Sequence, residues 1–112
     1  MNESSVVFPR RGEIYRAFAH GKNRPVLVIS PNGRNQYGRD VLAIPLSTRH
    51  RLAPTHVKLR KEQTGLPHDS TAKCEYIGPL DKIELKERIG RRVPPETLQE
   101  IEYAVMRAIG VP

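Results

Sequence analysis

Two short apolar runs, one turn apart, constrain this chain more than any other feature: Asn23–Ser30 (NRPVLVIS) and Asp40–Thr48 (DVLAIPLST). Val26 to Ile29 and Val41 to Ile44 are unbroken, rich in β-branched residues and too short for helices, so each predicts a strand packed on both faces. Two such strands belong at the centre of a sheet. Each also carries polar residues at one end. Arg24 stands before Pro25 at the mouth of the first, and Ser47 and Thr48 close the second. Neighbouring central strands can bring that guanidinium and those hydroxyls together.

The remaining segments arrange themselves around this pair. Met1–Pro9 reads as a loose arm. Gly12–Phe18 predicts a first strand, with Ile14, Arg16 and Phe18 on one side and Glu13, Tyr15 and Ala17 on the other, and Ala19–Asn23 predicts a tight hairpin connection. After Ser30, PNGRNQYGRD reads as a turn-rich loop in which Asn32-Gly33 and Gly38 supply positive-φ positions and Arg34 and Arg39 project outward. Thr55–Arg60 alternates as a strand with one face buried and with His56, Lys58 and Arg60 on the other. Lys61–Asp69 reads as a loop, Ser70–Ile77 as a strand, Asp81–Leu85 as one helical turn and Glu87–Arg91 as a last short strand. Pro94 and Pro95 then suit the first turn of a helix whose apolar stripe is Leu98, Ile101, Val105, Ala108 and Ile109, stopped at Gly110. The fold class is mainly β with α, a small, strongly curved antiparallel barrel-like sheet closed by a C-terminal helix.

With 112 residues the chain makes one domain over residues 1–112, able to bury roughly 65% of its unfolded surface. A single cysteine excludes an internal disulfide framework and suits a reducing compartment. No run approaches the length needed to span a bilayer, so the expected location is cytoplasmic. The charge is uneven. Residues 1 to 61 hold twelve Lys or Arg against three acids, and residues 62 to 112 hold seven against nine. A basic first half points to a polyanion partner, because clustered cations gain affinity by releasing counterions from phosphate.

The order of RGEIY, NRPVLVIS with Asn32 and Asn35 beyond it, AIPLST, THVKL, GL with DS, LDK, IG and a terminal helix resembles the MazF/PemK/Kid family of bacterial toxins across nearly the whole chain. The resemblance implies an SH3-like barrel, a homodimer and a metal-independent, sequence-specific endoribonuclease acting on single-stranded RNA without a cofactor. It also implies a cognate acidic antitoxin that blocks the site. Carried onto this sequence, it makes Arg24 and Ser47 the catalytic pair, with serine where the family usually has threonine. Glu75 matches the acid of the family's acid-glutamine-hydrophobic-basic run, whereas Tyr76 and Gly78 replace its glutamine and basic residue. The hairpin connection at residues 19–23 is shorter than the family's usual loop.

Cleaving RNA without a metal needs a proton acceptor for the 2′-hydroxyl, a proton donor for the leaving oxygen, and donors for the charge developing on phosphate. Arg24 fits the last role, since its forked N–H groups match two phosphate oxygens and it stays charged. Ser47 and Thr48 can orient phosphate or the 2′-hydroxyl. Arg49, His50, Glu75 and Tyr76 complete the candidate RNA-binding set. His50, three residues beyond Ser47, is the candidate base to test, against the plainer reading of RHR as a solvated cationic loop. Cys74 reads as a small core residue, and the four histidines lack metal-ligand spacing with it. Two other readings compete: a CcdB-like gyrase-binding toxin, and a small basic barrel that binds nucleic acid without cutting it.

Overall fold

The computed structural model describes residues 7–112, so the expected arm lies outside the described residues as far as residue 6. Seven strands form one antiparallel sheet: β1 (Ile14–Ala19), β2 (Lys22–Val28), β3 (Asp40–Ser47), β4 (His56–Leu59), β5 (Ser70–Lys73), β6 (Gly78–Asp81) and β7 (Leu85–Ile89). Their order is β4-β5-β3-β2-β1-β7, with β6 also on β3. The end strands β4 and β7 are not paired with each other, so the expected barrel is a bent open sheet rather than a closed one.

Both central strands are packed on two faces, as their continuous apolar runs require. Leu27, Ile29, Ile44 and Leu46 join the main core with Ile14, Leu59, Ala72 and Cys74. Val26, Val28, Val41 and Ala43 point to the opposite face and form a smaller cluster with Ala17. α3 (Pro95–Ala108) covers only the main core, through Leu98, Ile101 and Ala104. The first part of its stripe is therefore spent inside the protomer, whereas Ile109 at its end, Tyr103 on another face of the helix and Val111 beyond it stay exposed. Pro94 and Pro95 open this helix and Gly110, at φ +83°, follows its end, in keeping with the sequence.

Three segments differ from the sequence reading. PNGRNQYGRD is not a turn-rich loop: Asn32–Tyr37 forms a helix, α1, and neither Gly33 nor Gly38 has positive φ. The reason is tertiary. The buried Asn35 donates to the Ser30 carbonyl at 2.9 Å and pairs with the Ser30 hydroxyl, which accepts the Leu42 amide at 3.0 Å. Lys61–Asp69 likewise contains a helical turn, α2 (Lys61–Thr64), ended by Gly65 at φ +73°.

The predicted strand Ser70–Ile77 stops at Lys73, where a 3₁₀ turn, Cys74–Tyr76, intervenes before β6 resumes along the same edge of β3. Residues 73–77 thus stand opposite only Ile44 and Pro45, an outsized bulge that pushes Glu75 and Tyr76 out of the sheet. Pro45 sits opposite the interruption and has no N–H to offer a partner there. The last strand begins at Leu85, two residues earlier than expected, and the helical turn at 82–84 falls within the predicted one.

Candidate functional site

The site is built on the β1–β2 hairpin. Ala19 pairs with Lys22, so the connection is the two-residue turn His20-Gly21, with φ +51° and +83°. Two positive φ values in succession match the right-handed twist of the strands. Arg24 reaches back over this turn: its Nε donates to the Ala19 carbonyl at 2.8 Å and its Nη2 to the His20 carbonyl at 3.0 Å. The guanidinium is thereby held in place, and Nη1 with the second N–H of Nη2 has no protein acceptor among the described residues. Among those residues it has no carboxylate partner either.

The ladder carries Arg24 toward Ser47. Val26 pairs with Pro45, so two residues further out the same face of the sheet presents Arg24 on β2 and Ser47 on β3. Beyond Pro45, β3 turns away to pair with β5, Leu46 with Ala72 and Ser47 with Thr71, and a hollow of about 170 Å³ opens between the strands. Lys22, Arg24, Pro25, Ser47, Thr48, Arg49 and Ser70 are among its lining residues. The Ser47 hydroxyl accepts the Arg49 amide at 3.1 Å, which leaves its own proton free to donate outward. Lys22 and Ser70 were not foreseen, since only the hairpin turn and the β3–β5 pairing bring them here.

The other candidates fall into neighbouring hollows. Glu75 and Tyr76 line a separate, larger one of about 400 Å³ with Ala19, His20, Val26, Ala43 and Pro45. The His20 and Tyr76 rings meet edge-on at 5.3 Å across it. The Glu75 carboxylate turns to the start of β4, accepting from Thr55 Oγ1 at 3.0 Å and pairing with His56 Nε2 at 2.9 Å. Burial opposes its charge, yet its own backbone N–H and these two donors outweigh that and hold its pKa below the usual carboxylate value.

His50 lies on the far side of Thr48, in a third hollow of about 410 Å³ shared with Lys61, His68 and Asp69. Its Nδ1 meets Thr71 Oγ1 at 2.7 Å. Asp69 is held below its ordinary pKa, first by the Lys61 amide. Arg34 lies away from these hollows in the protomer and pairs with Asp40 at 2.6 Å at the start of β3. The length of that strand, roughly 23 Å at about 3.3 Å per residue, separates it from Ser47. Arg39 pairs with Asp81. Cys74 is fully buried and its thiol is pushed up to about 12 by burial first, which makes it inert. Among the described residues no three His, Cys, Asp or Glu side chains converge as a metal cage, and no helix is long and apolar enough to cross a membrane.

An arginine clamped by two carbonyls and without a carboxylate partner among the described residues stands beside two hydroxyls, with Lys22 and Arg49 lining the same hollow between central strands, an arrangement of donors suited to an anion. The chain belongs to the PemK-like, MazF-like toxins of type II toxin-antitoxin systems, whose sequence profile matches residues 10–109. Over 104 residues it is 34% identical to Endoribonuclease MazF1 of Mycobacterium bovis, covering 93% of this chain and 95% of that one. Endoribonuclease MazF4 of Mycobacterium tuberculosis matches to the same extent. A solved mycobacterial endoribonuclease in complex with its cognate antitoxin superposes with a TM-score of 0.82 at 34% identity, over 93% of this chain and 97% of that one. The MazE–MazF structure from Deinococcus radiodurans, at 22% identity and a TM-score of 0.77, shares the fold.

Proposed function

We propose that this chain is the endoribonuclease toxin of a toxin-antitoxin pair and cuts single-stranded RNA in the cytoplasm by attack of the 2′-hydroxyl on its own phosphate. One observation carries the reading: Arg24 is anchored through two N–H groups and has others to spare beside the Ser47 and Thr48 hydroxyls. A guanidinium held in advance meets the charge that develops on phosphate at little reorganisation cost. The free Ser47 proton can hold a phosphate oxygen, and Lys22, Arg49 and Arg51 draw in the strand. His50, with Nδ1 engaged by Thr71, is the side chain to test as base. Membership of the toxin family favours this reading over a gyrase-binding or purely RNA-binding role.

An antitoxin with an acidic tail would compete for the same cations, and its inhibition would weaken as salt rises. A second subunit would pack on the side of the sheet that α3 leaves free, where His20 and the half-exposed Tyr76 rim the hollow over the buried Val26, Ala43 and Pro45. The test is incubation of the purified protein with long single-stranded RNA in EDTA, followed by analysis of the ends. The reading expects 2′,3′-cyclic phosphate and 5′-hydroxyl termini. Cleavage that stopped with chelator and returned with a divalent ion would defeat the mechanism.

A further inference from the structure

We propose that His56 is a positioning residue, working as a doubly protonated ring that clasps the basic loop Arg49–Pro54 to Glu75 and so seats the loop for RNA. The functional half of this inference rests on the endoribonuclease reading; the structural half does not.

The ring is almost enclosed, its side chain 8% exposed, so its nitrogens depend on protein partners. Nδ1 lies 3.1 Å from the Arg51 carbonyl and Nε2 lies 2.9 Å from Glu75 Oε2. A carbonyl oxygen only accepts, so Nδ1 must carry a hydrogen. Glu75 is ionised, because its other oxygen accepts from Thr55 and its donors favour the charged form. Nε2 must then carry a hydrogen as well. Neither neutral tautomer can satisfy both partners, and only the imidazolium makes both bonds.

The clasp joins two of the candidate RNA-binding elements. On one side is the loop leaving Ser47 and Thr48, which bears Arg49, His50 and Arg51; on the other is the bulge bearing Glu75 and Tyr76. The loop's remaining ties lie near its ends: the Arg49 amide to Ser47, His50 to Thr71, the His56 amide to Ala53 at 3.0 Å, and Arg107 Nε to the Pro54 carbonyl at 2.7 Å. The Arg51 tie holds its middle. The charged surroundings are mixed: Arg51 and His50 from the loop, Lys58 from β4, Lys73 opposite His56 on β5, and Glu100, Tyr103 and Arg107 from α3. Glu75 is the carboxylate in direct contact. When the ring loses its second proton, one of the two bonds goes, the ring lets go of Arg51 or of Glu75, and the loop is no longer tied to Glu75. RNA binding then weakens, while Arg24 and Ser47, held by other bonds, keep their geometry.

The test combines ring NMR with kinetics over a pH series. In wild-type protein, two-bond ¹H–¹⁵N spectra of His56 should show both nitrogens protonated at the lower end, and the amides of residues 51–53 and 75 should move with the ring as it titrates. KM for RNA should rise about tenfold across that same transition, the scale of one lost charge-assisted hydrogen bond, with kcat little changed. His56→Asn keeps a donor placed like Nδ1 and His56→Gln one placed like Nε2, so each should show the raised KM at every pH. A single neutral tautomer throughout the range would overturn the proposal, as would unchanged KM in both folded variants. If a variant fails to fold, the wild-type ring and amide titration decides. Wild-type protein that cleaves no RNA would sink the endoribonuclease reading alone, and the NMR result would still decide the clasp.

Discussion

Arg24 does two jobs, and substitutions should separate them. Its Nε and Nη2 tie down the His20-Gly21 turn, and its remaining N–H groups, without an acceptor among the described residues, are the ones proposed to meet phosphate. Arg24→Ala should lose about 10² or more in single-turnover cleavage, the scale of removing one preorganised donor, with the circular dichroism spectrum unchanged. Arg24→Lys keeps the charge but cannot span both carbonyls and still fork onto phosphate, so it should remain well below wild type. For His50, the pH-rate profile of His50→Gln against wild type is decisive: loss of the acid limb with at least about a tenfold drop in rate marks a base, and superimposable profiles remove it from the mechanism. Tyr15 makes a third prediction. Burial first, then its hydrogen bond to the buried Glu13, pushes its hydroxyl up to about 12 from 10.0. The folded state therefore favours the neutral phenol; this stability is whole below about pH 10 and is lost as pH rises toward about 12. Denaturant midpoints should fall across that window in wild type and stay flatter in Tyr15→Phe.

Among the elements, burial divides what tolerates change from what does not. Ile101 is fully buried where α3 meets the main core, so Ile101→Ala should cost about 2–5 kcal/mol in urea unfolding, whereas Ile109→Ala, at 67% exposed, should cost little. Gly90 is the sharper case. At φ +65° its added Cβ would stand 2.2 Å from the Thr64 carbonyl, which accepts the Arg91 amide at 2.7 Å. Gly90→Ala should therefore destabilise by about 2 kcal/mol or more by the same measurement, with α2 and β7 forced apart. The two central strands, the hairpin and α3 were legible because their signals are local: β-branched runs, a short glycine turn, a proline start and a 3.6-residue stripe. α1 was not, because its stabilising bonds run from Asn35 to Ser30 and from Ser30 to Leu42.

For the molecule as a whole, the two faces of the sheet fare differently. α3 covers the main core, while the hollow of about 400 Å³ over Val26, Ala43 and Pro45 stays open. A homodimer packed on that second face is the expected state, and light scattering at micromolar concentration that found only a 12.7 kDa species would refute it. Chain order alone settled that Arg24 and Ser47 end adjacent central strands and that the first half is cationic, because strand periodicity and charge are properties of neighbouring residues. Only the tertiary structure decided which of the candidates share a hollow. Glu75 and Tyr76 leave the sheet because residues 73–77 must be accommodated opposite two residues of β3. Arg34 lies a strand's length from Ser47 because Asp40 captures it. His56 gained its place between Arg51 and Glu75 from the pairing of β4 with β5. Contacts of this kind depend on register and on where a strand bends, and those are set by the balance of packing across the whole sheet rather than by any stretch of the chain.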